Sequence, residues 1–154
     1  MEHAQSGALA VELVLVPVDG SDESALAVEY AVSLAAEYDA SVHAVYLLGE
    51  DVVRAIEDGT IDEESVVTDH EAFIDSVADY ATDNGVHISH STAFGFSTRV
   101  KTRHPGSAIL DTAEEVGADF LVVPREPVSG DPGEVLEKAA EYVLLYASQP
   151  VLSV

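Results

Sequence analysis

The sequence predicts an α/β fold, an open parallel five-stranded sheet with helices on both faces, of Rossmann-like build. Short β-branched apolar runs alternate with helix-length segments of 3.6-residue periodicity, in the order β-α-β-α-β-α-β-α-β. The first, fourth and fifth of these runs are apolar along nearly all their length rather than alternating, as a strand covered on both faces requires. Parallel neighbours in such a sheet are joined by right-handed crossovers, which place helices on the two faces.

Residues 1–9 read as a disordered arm, and residues 10–154 as one domain. Val11–Val18 is the first strand, with Pro17 tolerable near its C-terminal end. Asp19-Gly-Ser21 is a turn, Ser21 an N-cap, and Asp22 and Glu23 the acidic first turn of a helix. That helix carries Val28, Ala31, Val32 and Ala35 on one face. Val42–Leu48 is the second strand. Residues 49–69 are acidic and weakly periodic, and read as a loop with a short helix at Val52–Glu57. The next helix sets Phe73, Ile74, Val77, Ala78 and Ala81 inward, and Asn84-Gly85 closes it. A third strand region runs from Val86 to about Arg103, bent near Gly95. Pro105-Gly-Ser107 starts a helix with Ile109, Leu110 and Ala113 inward and Gly117 at its end. Phe120–Val123 is the fourth strand. Leu136, Ala139, Ala140, Val143, Leu144 and Ala147 form the buried stripe of the last helix, and Val151–Val154 is the fifth strand.

Composition narrows the class. A 154-residue chain that is 47% hydrophobic can bury a real core, although its formal charge is -23. The 29 Asp and Glu residues against 6 Lys and Arg are spread over nearly every segment, which describes an acidified surface on an ordinary core. Such a surface repels itself at low salt, and at ~1 M salt the screening length falls to about 3 Å. The composition therefore reads as that of an extreme halophile's protein. There are no cysteines, so thiolate and disulfide chemistry are excluded. No basic leader or membrane-length apolar run occurs, which predicts a cytoplasmic protein without membrane contact.

Ligands in open α/β sheets bind at the C-terminal strand ends, where strand order reverses. Here those ends are Asp19–Ser21 and the loop from Pro124 to Gly133. A phosphate loop needs glycines so that backbone N–H groups can approach the anion. Prolines stand at 124 and 127 instead.

Three stretches carry a resemblance to a known family: Val16-Pro-Val-Asp-Gly-Ser21, Gly117–Val123, and Ala140–Leu144 followed by Pro150–Val154. Together they resemble the universal stress protein family, over about residues 11–154. The resemblance implies the adenine-nucleotide-hydrolase type of sandwich, with strand order 3-2-1-4-5. It also implies a homodimer joined through the C-terminal strand 151–154. Nucleotide-binding members carry G-x2-G-x9-G-[S/T] after the fourth strand. Ungapped spacing puts those positions at Pro124, Pro127, Glu137 and Lys138, and all four depart from the motif. Proline removes a backbone donor, and a carboxylate at 137 opposes a triphosphate. ATP and AMP are thus disfavoured and no cofactor is predicted.

The resemblance further implies that Asp19 contacts the ribose or adenine, and that the backbone at Leu47 lines the adenine pocket. On their own residues, Asp19 is a turn residue supporting the Ser21 cap and Leu47 a core strand residue. Arg99, Lys101 and Arg103 share one side of a strand and read as a charged edge, so nucleic acid is disfavoured as a partner. His87 and His90, three apart in a strand, point to opposite faces; with His43 and His104 they make no metal site. No nucleophile elbow, Walker loop or zincin helix is present. The expectation is a non-enzymatic regulatory or protective protein. The alternatives are a ligand sensor or nucleotide hydrolase using a remodelled pocket around Asp19, and an adaptor contacting partners through 49–69 or the basic strand.

Overall fold

The computed structural model describes residues 10–94, 105–124 and 139–154. In chain order the elements are β1 (Leu13–Val18), α1 (Asp22–Tyr38), β2 (Ser41–Leu48), α2 (Glu50–Glu57), α3 (Glu63–Asp83), β3 (Ile88–Phe94), α4 (Pro105–Val116), β4 (Phe120–Val123), α5 (described over 139–146) and β5 (Val151–Ser153). The strands form one sheet in the order β3-β2-β1-β4-β5. Every neighbouring pair is parallel. The expected fold class and strand order both hold. Because β1 lies between β2 and β4, the strand order reverses at its C-terminal end.

Period-two alternation divides the core into two layers. Val14, Val16, Val18, Val42, Ala44 and Val122 meet Ala27, Val28, Ala31, Val32 and Ala35 of α1 and Ile74, Val77 and Ala81 of α3. On the other face Leu15, Val45, Leu47, Leu121 and Val123 meet Ala108, Ile109 and Ala113 of α4 and Ala139, Ala140 and Val143 of α5. Valines and alanines dominate, so the helices sit close against the sheet. Asp119 anchors the opposite end of β1. Its carboxylate accepts the backbone N–H of Glu12 (3.0 and 3.2 Å) and of Leu13 (3.2 Å).

Four expectations change. β1 begins at Leu13, with Val11 buried just ahead of it. The acidic stretch 49–69 is mostly helical, in α2 and the first turns of α3. Its periodicity is faint because those turns of α3 stand largely clear of the sheet, and Glu63 and Glu64 suit the positive helix N-terminus. β3 begins at Ile88 rather than Val86, while its expected bend near Gly95 and the basic triple Arg99, Lys101 and Arg103 lie outside the described residues. Leu144, expected inward, is 53% exposed. Beneath α5 the sheet ends in β5, only three residues long, so the covered stripe is narrower than the sequence pattern suggests.

Candidate functional site

Local bonding shapes the turn after β1. Ser21 has extended backbone (φ -79, ψ 164) and its side chain accepts the Ser24 N–H at 3.2 Å, capping α1. The Ser24 hydroxyl donates back to the Ser21 carbonyl at 2.9 Å and accepts the Asp19 N–H at 3.3 Å. Ser21 N–H in turn donates to Asp19 Oδ1 at 3.0 Å. Gly20 has φ +86, which a side chain rarely tolerates. A Cβ there would also stand 2.8 Å from the Tyr46 hydroxyl oxygen.

Asp19 is only 9% exposed, and its Oδ2 is buried without a hydrogen-bond partner among the described residues. Burial pushes the Asp19 carboxyl above its ordinary range, Glu23 adds to the push, and bonds from Ser21 and Ser24 oppose it. Tyr46, from β2, donates its hydroxyl to the Asp19 carbonyl at 3.2 Å. Burial, with the charges of Asp19 and Asp69, raises the Tyr46 phenol as well. His70 of α3 stacks on the Tyr46 ring with centroids 4.1 Å apart.

The two residues predicted at this end are brought together, since Val18 and Tyr46 are register partners and Asp19 and Leu47 follow them. Leu47 sends its side chain into the α4–α5 layer, 2% exposed, which leaves only its backbone to face the strand ends. Pro124 is buried directly after β4, while Pro127, Glu137 and Lys138 lie outside the described residues. Of the histidines considered, His43 is buried between two serines, Nδ1 2.7 Å from Ser89 Oγ and Nε2 2.9 Å from Ser91 Oγ. His90 is exposed on β3, and His87 precedes that strand rather than lying in it. His104 lies outside the described residues. Among the described residues no group of three or more His, Asp or Glu side chains stands where it could hold a metal ion.

Sequence reasoning passed over Tyr46 and His70. Tyr46 had a signal, a polar-tipped ring at the end of an otherwise aliphatic strand. His70 had none, because it lies where the apolar period is faint.

The arrangement offers one buried acceptor, Asp19 Oδ2, at the point where strand order reverses. The first position after β4 has no backbone N–H to offer. Comparison with known proteins agrees with the fold. The sequence profile of the universal stress protein family matches residues 11–154. A universal stress protein of Methanocaldococcus jannaschii is 28% identical over 144 residues, covering 92% of this chain and 80% of the relative. A universal stress protein crystallised in complex with cAMP is 25% identical with a TM-score of 0.64, covering 95% of this chain and 98% of that one. The UspA protein of Lactobacillus plantarum shares the fold with a TM-score of 0.72 at 16% identity, over 95% of this chain and 99% of its own. Among the described residues no helix is long and apolar enough to cross a membrane. A profile match over all but the first ten residues shows that the chain belongs to the universal stress protein family.

Proposed function

We propose that this chain is a regulatory or protective cytoplasmic protein of the universal stress type that does not hold ATP in the family's usual way. One observation carries the reading: the four positions of the glycine motif are Pro124, Pro127, Glu137 and Lys138. Pro124 is buried directly at the end of β4, where a glycine would present its N–H to a phosphate. Calorimetric titration with ATP, ADP and Mg²⁺ in ~1 M KCl, where surface repulsion is screened, is expected to give no binding heat. Micromolar ATP affinity would overturn the reading.

The buried orphan oxygen of Asp19 favours a second reading, a sensor for a smaller ligand without a triphosphate. The relative crystallised with cAMP supports this direction. In that reading Asp19 Oδ2 accepts from the ligand and the backbone at Leu47 lines its pocket. AMP or cAMP binding that is lost in Asp19→Ala distinguishes it from the first reading.

The same proposal includes a homodimer through β5. Among the described residues this strand pairs with β4 on one side only. Leu152 in β5 and Leu144, Leu145 and Tyr146 in α5 are all exposed large apolar residues. An open strand edge beside an apolar patch is what a second copy would cover. Sedimentation in ~1 M KCl is expected to show a dimer that Leu152→Lys weakens, by replacing an apolar contact near the two-fold axis with an ammonium that must lose its water. A monomer at all concentrations contradicts it.

A further inference from the structure

The N-terminal half of α3 is held to the molecule by little. Of residues 63–72, only Val66 and His70 are even half-buried, and the rest are exposed. The firm anchors, Ile74, Val77 and Ala81, all lie further along. Among the described residues Val66 and His70 therefore hold these first turns down, and His70 does so by stacking on a strand side chain. Its ring lies over Tyr46 at 4.1 Å with an interplanar angle of 28°, and Phe73 meets the same tyrosine edge-on at 6.1 Å.

The chemistry of the stack depends on protonation. His70 Nε2 is buried and has no hydrogen-bond partner among the described residues. In the neutral ring this nitrogen can be a bare lone pair, with the proton on Nδ1. In the charged ring it becomes an N–H carrying part of a full positive charge, still without an acceptor. Burying that unsatisfied donor costs more than burying the lone pair. We propose that His70, stacked on Tyr46, is an acid-sensitive latch that holds the N-terminal half of α3 on the sheet and lets it go on gaining a proton.

The groups around the latch support this sign. From β3, the exposed His90 is close enough to disfavour a charge on His70, and burial acts the same way and more strongly. On α3 itself Glu71 pulls in the opposite direction, as the smallest of the three influences. Tyr46 of β2 is neutral, held so chiefly by burial and further by the charges of Asp19 and Asp69. Attraction between the imidazolium and the tyrosine face works against release. At this site it must be won without an acceptor for Nε2–H. With its basicity held below the ordinary value of 6.5, His70 contributes stability that is present above 6.5 and lost as pH falls through the lowered folded value. His43 carries the same sign on the opposite face, again mainly through burial. Global stability therefore cannot separate the two, and the readout must be local.

Latch release would expose the Tyr46 ring, whose hydroxyl is bonded to the Asp19 carbonyl. The turn after β1 would thereby sense acidity.

Hydrogen–deuterium exchange of the intact protein in ~1 M KCl is the test, at about pH 7.5 and about pH 5.5, the window in which imidazoles titrate. After correction for intrinsic rates, residues 63–72 are expected to lose protection at the lower pH while α1 keeps it. His70→Phe retains an aromatic stack that cannot be protonated, and its protection over 63–72 is expected to be the same at both pH values. The ring resonance of His70 in the unaltered protein is expected to titrate over the same range as the loss. Equal protection at both pH values in the unaltered protein overturns the proposal. So does an undiminished pH response in His70→Phe, or a His70 titration that does not track the exchange.

Discussion

Gly106→Ala is expected to destabilise the fold by about 1–3 kcal/mol, the usual cost of overpacking a well-filled core. Gly106 is buried in the first turn of α4, and a Cβ added there would meet Tyr142 Cβ at 2.6 Å, Cδ1 at 2.6 Å and Cγ at 2.7 Å. Rotating the tyrosine ring cannot remove the contact with Tyr142 Cβ, which is fixed to the backbone of α5. The two helices would have to move apart over the Ala139–Val143 contact, loosening the layer that covers β4. Alanine's better helix propensity returns up to about 1 kcal/mol and does not reverse the sign. For a domain of this size the thermal midpoint should fall by roughly 2–4 °C per kcal/mol. Moving the glycine across the contact, as Gly106→Ala with Tyr142→Gly, should cost less than the sum of the two single changes. Simple additivity in thermal denaturation would show that the approach of α4 and α5 is not the cause.

Asp19→Asn is expected to act in the opposite direction and stabilise the protein at neutral pH. Asp19 holds one oxygen on Ser21 N–H and buries the other with no partner. Its carboxyl is held above the ordinary value of 3.8, chiefly by burial. The sign follows directly. The native state keeps the Asp19 proton to higher pH than the unfolded chain does. The stabilising contribution is complete below 3.8 and is lost as pH rises through the raised folded value. Above that folded value the native protein carries the penalty of a buried carboxylate, which a neutral amide escapes. The gain should be roughly 1–2 kcal/mol, limited because the amide NH₂ inherits the unpartnered position. It should shrink as pH is lowered through the titration of Asp19. Denaturant unfolding in ~1 M KCl across that range reads the effect. A stabilising substitution that also abolishes AMP or cAMP binding would mark Asp19 as a residue kept for its ligand at the expense of stability. Destabilisation at neutral pH would mean that Oδ2 is satisfied in solution.

Regular covalent patterns made most of the fold legible. Ser21 followed by Asp22 and Glu23 is a helix start wherever it occurs, because the free N–H groups and the helix dipole are local properties. Phe120–Val123 reads as a buried strand, given four consecutive apolar residues between Asp119 and Pro124. Positive-φ glycines at 85 and 117 end α3 and α4 as expected. The acidic stretch 49–69 misled because the first turns of α3 bury little and so show little periodicity. Leu144 misled because the width of the sheet beneath α5 is set by β5, which the pattern within α5 does not report.

The site divides along the same line. Asp19 and the prolines at 124 and 127 stand out in one dimension, since a turn after a strand and a missing N–H are properties of single residues. Local chemistry therefore established an α/β sheet and a capped turn after its first strand, and the family resemblance added the strand order and a glycine motif with every position replaced. Contacts between distant segments are another matter. That Asp19 Oδ2 has no partner, that Tyr46 closes over Gly20, that His70 lies on Tyr46 and that Gly106 touches Tyr142 all depend on how close separate elements come. Those separations are set by the packing of valines and alanines between sheet and helices. Packing is a property of the whole core, and no single segment carries it.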